Sequence, residues 1–365
     1  MIGAGPAGAF ASYKLASAGP SVILVERSNF PRKKVCGSCL NHAAVTLLQE
    51  EGLDEILTEN KAVPLQRFWL ASGKSHAVLD MPQGSALSRE VFDAGLVQKA
   101  VEKGANFFPE TRIVLEKKAT EKDPFHSLRI FKDQKEICIK AKIILSADGL
   151  NGQFLEKEKG FEMVTDPASR IGAGKIFNES PDFYQPGVIY MATGAEGYVG
   201  LVRLEDGRLN AAAAFDPEFL RTNEGVGEAV QKVLQKNQFP LMRGIEDPWQ
   251  GTFPLSRKRR QVAAYKIFVI GDSAGYVEPF TGEGIALALA SARDVTEFVV
   301  KGIENLNSDL EIRWQELYHK QMTQRQNRCR LVTRLLRNAT LTSTAVRFLS
   351  WFPETASPFV EEITS

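Results

Sequence analysis

The stretch Met1–Phe10 reads MIGAGPAGAF and holds three glycines at a characteristic spacing. Gly3, Gly5 and Gly8 match the G-x-G-x-x-G turn that joins a buried strand to a helix and receives a dinucleotide pyrophosphate. The first glycine permits the tight turn, the second lets the phosphates approach the backbone, and the third lets the helix pack closely. Because only two residues precede the turn, the stretch predicts a phosphate site whose supporting strand is cut short.

The residues after the turn complete half of a βαβ unit. Residues 9–19, AFASYKLASAG, are rich in alanine and end at a glycine that proline follows, which predicts a helix. Residues 21–27, SVILVER, form a short apolar run, as in strands buried on both faces of a parallel sheet. Glu26 ends that strand about 20 residues beyond the glycines, where a carboxylate can accept hydrogen bonds from ribose hydroxyls.

Two further apolar strands end in Asp and Gly. Residues 144–152 read ILSADGLNG, and residues 267–275 read IFVIGDSAG. Asp148 and Asp272 are therefore expected at the carboxyl edge of the sheet, where ligands of open α/β sheets bind. A later glycine pair, in TGEGI, opens another helix whose N-terminus can stabilise negative charge. Together these features indicate a long ligand with a phosphate in its middle.

The motifs follow the order of one flavoprotein superfamily. The succession of GAGPAG, an acidic strand end, Arg89, Asp148-Gly149 and GDSAG resembles the p-hydroxybenzoate hydroxylase superfamily. FPRKKVCG at residues 30–37 and PFTGEGI at residues 279–285 make the chain most similar to its geranylgeranyl reductase-like branch. The resemblance covers roughly residues 1–300 and implies an FAD-dependent oxidoreductase.

The resemblance also implies roles for individual residues. The first glycine turn and Arg89 would bind the pyrophosphate, and Glu26 the adenosine ribose. Asp272 would bind the ribityl chain, and the residues from Gly282 to Ile285 the edge of the flavin ring. Cys36 and Tyr198 are the candidate catalytic residues. The implied cofactor-binding residues are Gly3, Gly5, Pro6, Ala7, Gly8, Glu26, Arg27, Cys36, Gly37, Arg89, Asp148, Gly149, Gly271, Asp272, Pro279, Gly282, Gly284 and Ile285.

We expect an α/β fold with three regions. A Rossmann-like FAD-binding domain with a central parallel sheet would take residues 1–165 and 256–300. The alternating short runs of residues 166–255 predict an antiparallel substrate sheet, to which residues 64–84 are candidates to contribute. Residues 301–365 predict a C-terminal helical region. The truncated first strand is expected between SVILVE and IFVIG, on a natural chain that begins about five to eight residues earlier.

The resemblance leaves the reaction open. We expect an apolar substrate, either lipid-like, isoprenoid or polyketide, and NAD(P)H as a transient reductant, since the sequence has no second G-x-G-x-x-G turn. One alternative is a flavin monooxygenase that hydroxylates an aromatic or polyketide substrate. An alternative of another class is a non-catalytic escort-type protein of the same fold. The strand GYVGLVRL keeps Tyr198 of the reductases' Y-x-W-x-F-P stretch but not its Trp or Pro, which argues against prenyl-chain reduction.

Side chains near the expected flavin offer further possibilities. Cys36 and Cys39 have the spacing of a redox disulfide, but disulfide reductases carry a second glycine-rich domain that this sequence lacks. A flavin-adjacent Cys36 is therefore preferred, with Cys39 as a packing residue. Aromatic and Met side chains on strands more often pack in a core than line a pocket. The candidate pocket residues on the substrate sheet are nevertheless Tyr190, Met191, Tyr198 and Phe215.

The composition of the whole chain limits the other classes. A net charge of +1 over 365 residues gives no overall field for nucleic acid. No apolar run approaches the roughly 20 residues of a membrane-spanning helix, four cysteines are too few for a disulfide framework, and no histidine cluster predicts a metal. We expect a cytoplasmic monomer or small homo-oligomer. The basic amphipathic residues 329–352 could contact a membrane peripherally, although capping the substrate cavity is the favoured interpretation.

Overall fold

The computed structural model describes residues 1–278, 280, 282–302 and 309–356, with some side chains between residues 321 and 332 left out. The predicted α/β fold, with a Rossmann-like part, a second sheet and C-terminal helices, is confirmed. The helices of the described residues are α1 (Pro6–Ser17), α2 (His42–Glu50), α3 (Glu55–Glu59), α4 (Arg89–Glu102), α5 (Pro217–Arg221), α6 (Val226–Lys236), α7 (Gly284–Gly302), α8 (Asp309–Leu336) and α9 (Ala339–Trp351).

The parallel-paired strands of the Rossmann-like part have three residues each, whereas most strands of the second sheet have seven or more. They are β1 (Ile23–Val25), β2 (Cys39–Leu40), β3 (Val63–Ser72), β4 (Ser75–Ala86), β5 (Asn106–Phe108), β6 (Arg112–Lys117), β7 (His126–Lys132), β8 (Lys135–Ala141), β9 (Ile144–Ser146), β10 (Met163–Thr165), β11 (Ile171–Phe177), β12 (Val188–Gly194), β13 (Gly197–Arg203), β14 (Leu209–Phe215), β15 (Gln250–Pro254), β16 (Arg257–Arg259), β17 (Ala263–Ala264), β18 (Ile267–Val269) and β19 (Gly275–Tyr276).

The first residues of the chain lie inside the parallel sheet. Ile2 pairs with Val25 of β1 on one side and with Ser146 of β9 on the other. Strand β5 extends the sheet beyond β1, and β18 extends it beyond β9. The expectation that the first strand lies between SVILVE and IFVIG is therefore wrong, because β9 is the neighbour and β18 lies one strand further out. Both strands are apolar and end in Asp, so their composition could not order them.

Helices α4 and α9 begin at side chains that satisfy their free N–H groups. Ser88 accepts a hydrogen bond from the Val91 N–H, so α4 begins at Arg89. Asn338 accepts one from the Leu341 N–H, at 3.0 Å, and begins α9. Such caps contribute about 1 kcal/mol each and fix where a helix starts. The first of them sets Arg89 in the first turn of α4.

The second sheet has eight strands in the order β15-β11-β14-β13-β12-β3-β4-β2. Its pairs are antiparallel except for β3 with β12, which run parallel. The predicted antiparallel sheet is therefore mixed at this one place. Strands β3 and β4 belong to it, although a long segment of the first part of the molecule separates them from β11 in the chain.

The two faces of the second sheet have different neighbours. Alternate side chains such as Tyr190 and Ala211 pack in a core with residues of α6, for example Val230. The opposite face, which includes Met191 and Ala212, borders a large cavity. Because side chains alternate along a strand, each strand serves both the core and the cavity.

The C-terminal helices cover both parts of the molecule. Leu289 and Val295 of α7 join the core beneath the first sheet. Val346 of α9 packs with Leu70 and Leu79 of β3 and β4. Among the residues that the structure describes, no helix combines the length and apolar character needed to cross a membrane.

Candidate cofactor and substrate site

A cavity of about 1560 Å³ lies between the two sheets. It is bordered by the glycine turn, the ends of the parallel strands, the segment after Phe30, and the second sheet. Pro279 lies outside the described residues, and Gly8 lies beneath the turn rather than on the cavity surface. The predicted site residues that line the cavity are Gly3, Gly5, Pro6, Ala7, Glu26, Arg27, Cys36, Gly37, Arg89, Asp148, Gly149, Tyr198, Gly271, Asp272, Gly282, Gly284 and Ile285.

The glycine turn is closed so tightly that side chains would not fit. Gly3 has φ +94°, and a Cβ there would lie 2.4 Å from the Ala147 carbonyl oxygen. A Cβ on Gly8 would lie 1.9 Å from the Gly3 carbonyl oxygen. At Gly5, by contrast, the nearest atoms to a Cβ would be guanidinium nitrogens, Nη2 of Arg32 at 3.5 Å and Nη2 of Arg89 at 3.9 Å. The turn therefore opens onto two cations at the start of α1.

One buried aspartate holds both of these cations. Arg89 donates two hydrogen bonds of 2.8 Å, from Nε and Nη2, to the two carboxylate oxygens of Asp93 one helical turn later. Nη1 of Arg32 lies 3.2 Å from the same carboxylate, which is fully buried. These contacts fix both guanidinium groups beside Gly5.

Glu26 is engaged from both sides of the turn. Its Oε2 accepts a hydrogen bond of 3.1 Å from the Ala4 N–H, and its Oε1 accepts one of 3.0 Å from the Ser28 N–H. Arg32 Nε lies 3.4 Å from Oε2. Burial alone would raise the pKa of Glu26, but the Arg32 charge and the two N–H donors lower it below its ordinary value. Glu26 therefore stays ionised at neutral pH and ties the strand end to the glycine turn.

Asp148 is bound by its own loop. Its Oδ1 accepts a hydrogen bond of 3.0 Å from the Ser146 hydroxyl, and its Oδ2 accepts one of 2.9 Å from the Phe154 N–H. Gly149 has φ +72° and open space where a Cβ would lie. Arg27, on the facing strand end, donates a 2.7 Å hydrogen bond to Gln153 of the same loop. These contacts hold the two strand ends together at one side of the cavity.

Asp272 and Lys34 lie near enough for their charges to interact, and both line the cavity. Burial raises the pKa of Asp272, although Arg89 and Lys34 lower it in part. The pKa of Lys34 is lowered, first by burial and then by the charges of Arg32 and Arg89. Lys34 lines the cavity, so its charge adds to those of the two arginines there.

The two cysteines occupy different surroundings. Cys36 lies beside the Arg89 guanidinium, and its carbonyl oxygen accepts a 2.9 Å hydrogen bond from Asn210 of β14. Cys39 packs near the turn that opens α7, with its Cβ 4.0 Å from where a Cβ of Gly282 would lie. Burial raises the pKa of the Cys39 thiol, which therefore keeps its proton. Both thiols are free, and a neutral Cys39 disfavours the disulfide chemistry considered above.

Tyr198 lies where the second sheet meets the turn before α7. Its ring packs edge-on against Phe280 with centroids 5.1 Å apart, and the Arg170 guanidinium lies 5.8 Å from its centroid. Arg170 is fully buried and donates a 3.1 Å hydrogen bond to the buried Glu278. Its Nε lies 3.4 Å from Asp216, which also binds Arg337. This network fixes the start of the turn that leads to Gly282.

Strand alternation divides the candidate pocket residues. Met191 and Tyr198 line the cavity. Tyr190 and Phe215 point to the other face, where both are buried in the core beside α6. Including Tyr190 and Phe215 among the pocket residues was therefore wrong. Because neighbours on a strand face opposite sides, Tyr190 and Met191 could not both have lined one pocket.

A family model described as "FAD binding domain" matches residues 1–307. The chain belongs to that family. The predicted FAD-dependent oxidoreductase of the p-hydroxybenzoate hydroxylase superfamily, geranylgeranyl reductase-like branch, is thereby confirmed. Family membership also favours an enzyme over the escort-type alternative.

Relatives of known name and structure share most of the chain. Digeranylgeranylglycerophospholipid reductase of Methanoculleus marisnigri is 27% identical over 83% of this chain and 76% of its own. Conditioned medium factor receptor 1 of Dictyostelium discoideum is 24% identical over 80% of this chain, which spans 61% of that receptor. The crystal structure of a geranylgeranyl bacteriochlorophyll reductase-like protein of Thermoplasma acidophilum has a TM-score of 0.76, 17% identity, and covers 98% of this chain and 91% of its own. That likeness shows the fold.

The residues of the site fit FAD. The glycine turn leaves backbone open where a pyrophosphate needs close approach, and Arg32, Lys34 and Arg89 gather positive charge at that place. A helix N-terminus adds partial positive charge of the kind phosphates bind. We propose that these groups hold the pyrophosphate, with Glu26 at the adenosine side and Asp272 at the ribityl side.

Several residues of the site were not foreseen. Arg32 and Lys34 lie in the quoted motif FPRKKVCG, and a basic run after the first βα unit is a signal that could have found them. Asp93 follows Arg89 by four residues on a predicted helix, which is ion-pair spacing. No local signal existed for Arg170 and Glu278, because they are 108 residues apart in the chain.

Proposed function

We propose that this protein is an FAD-dependent reductase of an apolar, lipid-like molecule, such as an isoprenoid or polyketide chain, and that NAD(P)H supplies the hydride. The observation that carries the proposal is the separation of charge within one cavity. The name of the Methanoculleus marisnigri relative, a digeranylgeranylglycerophospholipid reductase, supports a lipid-like substrate.

Charged side chains line only one half of the cavity. Among the described residues they come from the parallel-sheet part of the molecule, while the second sheet and α9 contribute none. The charged lining residues are Glu26, Arg27, Arg32, Lys33, Lys34, Arg89, Arg112, Asp148, Glu156, Lys157, Glu158 and Asp272. A substrate bearing charge in the other half would lose its hydration without a counterion, which is costly.

The uncharged half is apolar and roomy. Small residues such as Gly172, Gly200 and Ala212 leave space along the strands, and larger apolar side chains form its walls. The wall residues are Phe68, Leu70, Leu79, Met81, Ile189, Met191, Phe280 and Leu349. This lining would exclude water and favour an aliphatic or aromatic substrate through burial of apolar surface.

Two side chains that can donate a proton line the cavity from the second sheet. FAD, when bound, supplies a reversible store of hydride and electrons. Reduction of a carbon–carbon double bond needs a proton as well as a hydride. Cys39, whose thiol burial keeps neutral, and the Tyr198 hydroxyl carry exchangeable protons at the cavity wall. Cys36 would act on the cofactor side of the cavity. The Arg89 guanidinium beside it stabilises negative charge that develops there.

NAD(P)H would bind only transiently. The sequence has no second G-x-G-x-x-G turn, so a separate nicotinamide domain is not expected. The proposal includes a cytoplasmic location, because that compartment supplies NAD(P)H.

The deciding experiment measures the mass of the product. The purified protein, loaded with FAD, is given NADPH and a panel of unsaturated lipids and phenols under nitrogen and under air. The proposal expects products heavier by two hydrogens, formed in both atmospheres, together with NADPH oxidation that depends on the lipid. Products that gain one oxygen, formed only under air, would replace it with the monooxygenase. A protein that cannot be loaded with FAD would overturn both.

A further inference from the structure

Helix α9 carries two apolar faces rather than one. Val346 is buried against β3 and β4, and Thr342 beside it is also buried. Leu349 packs partly against the same core. This face explains why the helix docks on the second sheet. A helix held by one face normally exposes polar residues on the rest.

The second face is an exposed apolar stripe, formed by Leu341, Phe348, Trp351 and Phe352. Their exposed fractions are 54%, 50%, 65% and 53%. Leu341 and Phe348 are seven residues apart, so they lie on one side of the helix axis, and Phe352 follows directly after the last helical residue. The rings of Phe348 and Phe352 are in contact, with centroids 5.3 Å apart. Four large apolar side chains together at such exposure indicate a contact surface.

Positive charge borders this stripe. The Arg347 guanidinium lies over the Trp351 ring, 5.2 Å from its centroid. Within residues 330–356 the sequence has four arginines and one acidic residue, Glu354. Arg337 is paired with Asp216, whereas Arg334 is exposed. Aromatic rings beside arginines suit the boundary between the head groups and acyl chains of an anionic bilayer.

The stripe also reaches the apolar half of the cavity. Phe348 is half exposed to solvent and lines the cavity as well, together with its neighbour Leu349. Thr355 and Ala356, after the helix, line it too. The exposed stripe and the substrate space are therefore continuous through one side chain.

We propose that the stripe of α9 is a docking surface for an anionic membrane, which brings the mouth of the apolar half of the cavity to the lipid phase. The helix would lie along the bilayer surface, with Leu341, Phe348, Trp351 and Phe352 below the head groups and Arg347 among the phosphates. The proposal goes beyond the reaction, and docking is measurable without turnover, so its failure leaves the proposed reduction untouched.

The experiment uses the full FAD-loaded chain and vesicles of phosphatidylcholine, alone or mixed with phosphatidylglycerol. We expect sedimentation with the mixed vesicles, release by added NaCl, and a blue shift of tryptophan fluorescence that is lost in the variant Trp351→Ser. The variant Leu341→Ser/Trp351→Ser/Phe352→Ser should lower the partition coefficient at least about tenfold. The matched control Ile137→Ser/Tyr265→Ser removes side chains of similar exposure, 52% and 53%, elsewhere on the surface and should bind as the parent does.

Arg347→Glu keeps the apolar stripe, so it tests the proposal even if the triple variant misfolds. It should lower binding to mixed vesicles at least about fivefold and leave the weak binding to phosphatidylcholine unchanged. Equal binding of the parent and the triple variant would overturn the proposal. A second outcome would also overturn the proposal. The parent protein would not bind mixed vesicles but would form a dimer in sedimentation equilibrium, and the triple variant would stay monomeric. The stripe would then bind a second copy of the chain.

Discussion

The two halves of the cavity are built by opposite means. In the charged half, loops at strand ends carry arginine, lysine and carboxylate side chains, and a few buried acids fix their positions. Asp93 holds two guanidinium groups there. In the uncharged half, long strands carry Gly and Ala toward the cavity, and among the described residues no charged side chain lines it. One half positions a ligand by directed bonds, and the other admits it by leaving space.

The two halves of the cavity are therefore sensitive to different kinds of substitution. Directed ionic contacts fail when one partner is removed, because the remaining buried charge is left uncompensated. The open space of the uncharged half is lost when a larger side chain fills it. Substitutions that remove charge should therefore damage the first half, and substitutions that add volume should damage the second.

The largest effect is expected for Asp93→Asn. The substitution keeps the volume but leaves Arg32 and Arg89, both mostly buried, without their shared counterion. The free energy of unfolding of the FAD-free protein should fall by about 3 to 5 kcal/mol. Urea denaturation followed by circular dichroism measures it.

An exposed ion pair provides the control for that experiment. Asp206→Asn removes the pair of Asp206 with Arg208 at a solvent-exposed turn and should cost less than about 1 kcal/mol. Equal losses in the two variants would show that Asp93 does not anchor the charged half.

The second prediction concerns FAD affinity. Arg89→Met removes a cation that lies near Gly5, and the loss of a charge-assisted contact should weaken FAD binding about 10- to 100-fold. Arg89→Lys should recover part of it. Quenching of flavin fluorescence gives the dissociation constant. Arg112→Met, an exposed arginine that also lines the cavity, serves as control, and an equal loss there would count against a specific role for Arg89.

The third prediction fills the uncharged half. Ala212→Leu adds volume on the cavity face of β14 and should lower kcat/KM for a lipid substrate about tenfold, with FAD affinity unchanged. Ala211→Leu, one residue earlier, places the same group in the core beside α6 and should instead destabilise the fold by about 1 to 3 kcal/mol. Steady-state kinetics and thermal unfolding of the pair separate the two outcomes. Similar behaviour of both variants would contradict the assignment of faces.

The smallest effect is a pH dependence. The pKa of Lys34 is lowered in the FAD-free protein, by burial and by Arg32 and Arg89. Binding of an anionic pyrophosphate favours the charged amine, so FAD affinity should fall as pH rises through that pKa and stay level below it. A fall of about two- to fivefold is expected, because the Lys34 side chain, although surrounded by protein atoms, still reaches solvent. In Lys34→Arg the affinity should stay level over the same range. A fall that persists there would assign it to another group.

The features that the sequence revealed are local ones. Gly3 and Gly8 could be read because a side chain at either would clash with the turn, and Gly5 because the motif needs open backbone there. Glu26, Asp148 and Asp272 could be read because they end apolar strands. The order of the strands in the parallel sheet could not be predicted, because it depends on pairing between distant segments of the chain. The strands before Asp148 and Asp272 are alike in composition, so nothing local placed β9 rather than β18 beside Ile2.

Two other features follow from rules of strand and helix geometry that apply to the sequence alone. Tyr190 and Met191 are neighbours on a strand, and alternation forbids both from one pocket. The Arg89–Asp93 pair has helical ion-pair spacing. The Arg170–Glu278 contact differs from these, because it joins the second sheet to the turn before α7 and is fixed only when both are folded.

The parallel pairing of β3 with β12 has a consequence for how the protein is made. The Thr193 hydroxyl binds the Ala71 carbonyl oxygen across this pair, 122 residues away in the chain. A growing chain on the ribosome therefore completes β3 and β4 long before β12 has been synthesised. During that interval one edge of β3 has no partner and is open to pairing with other chains. The hairpin of β3 and β4 is thus the segment for which a chaperone would matter, before any cavity exists to hold FAD.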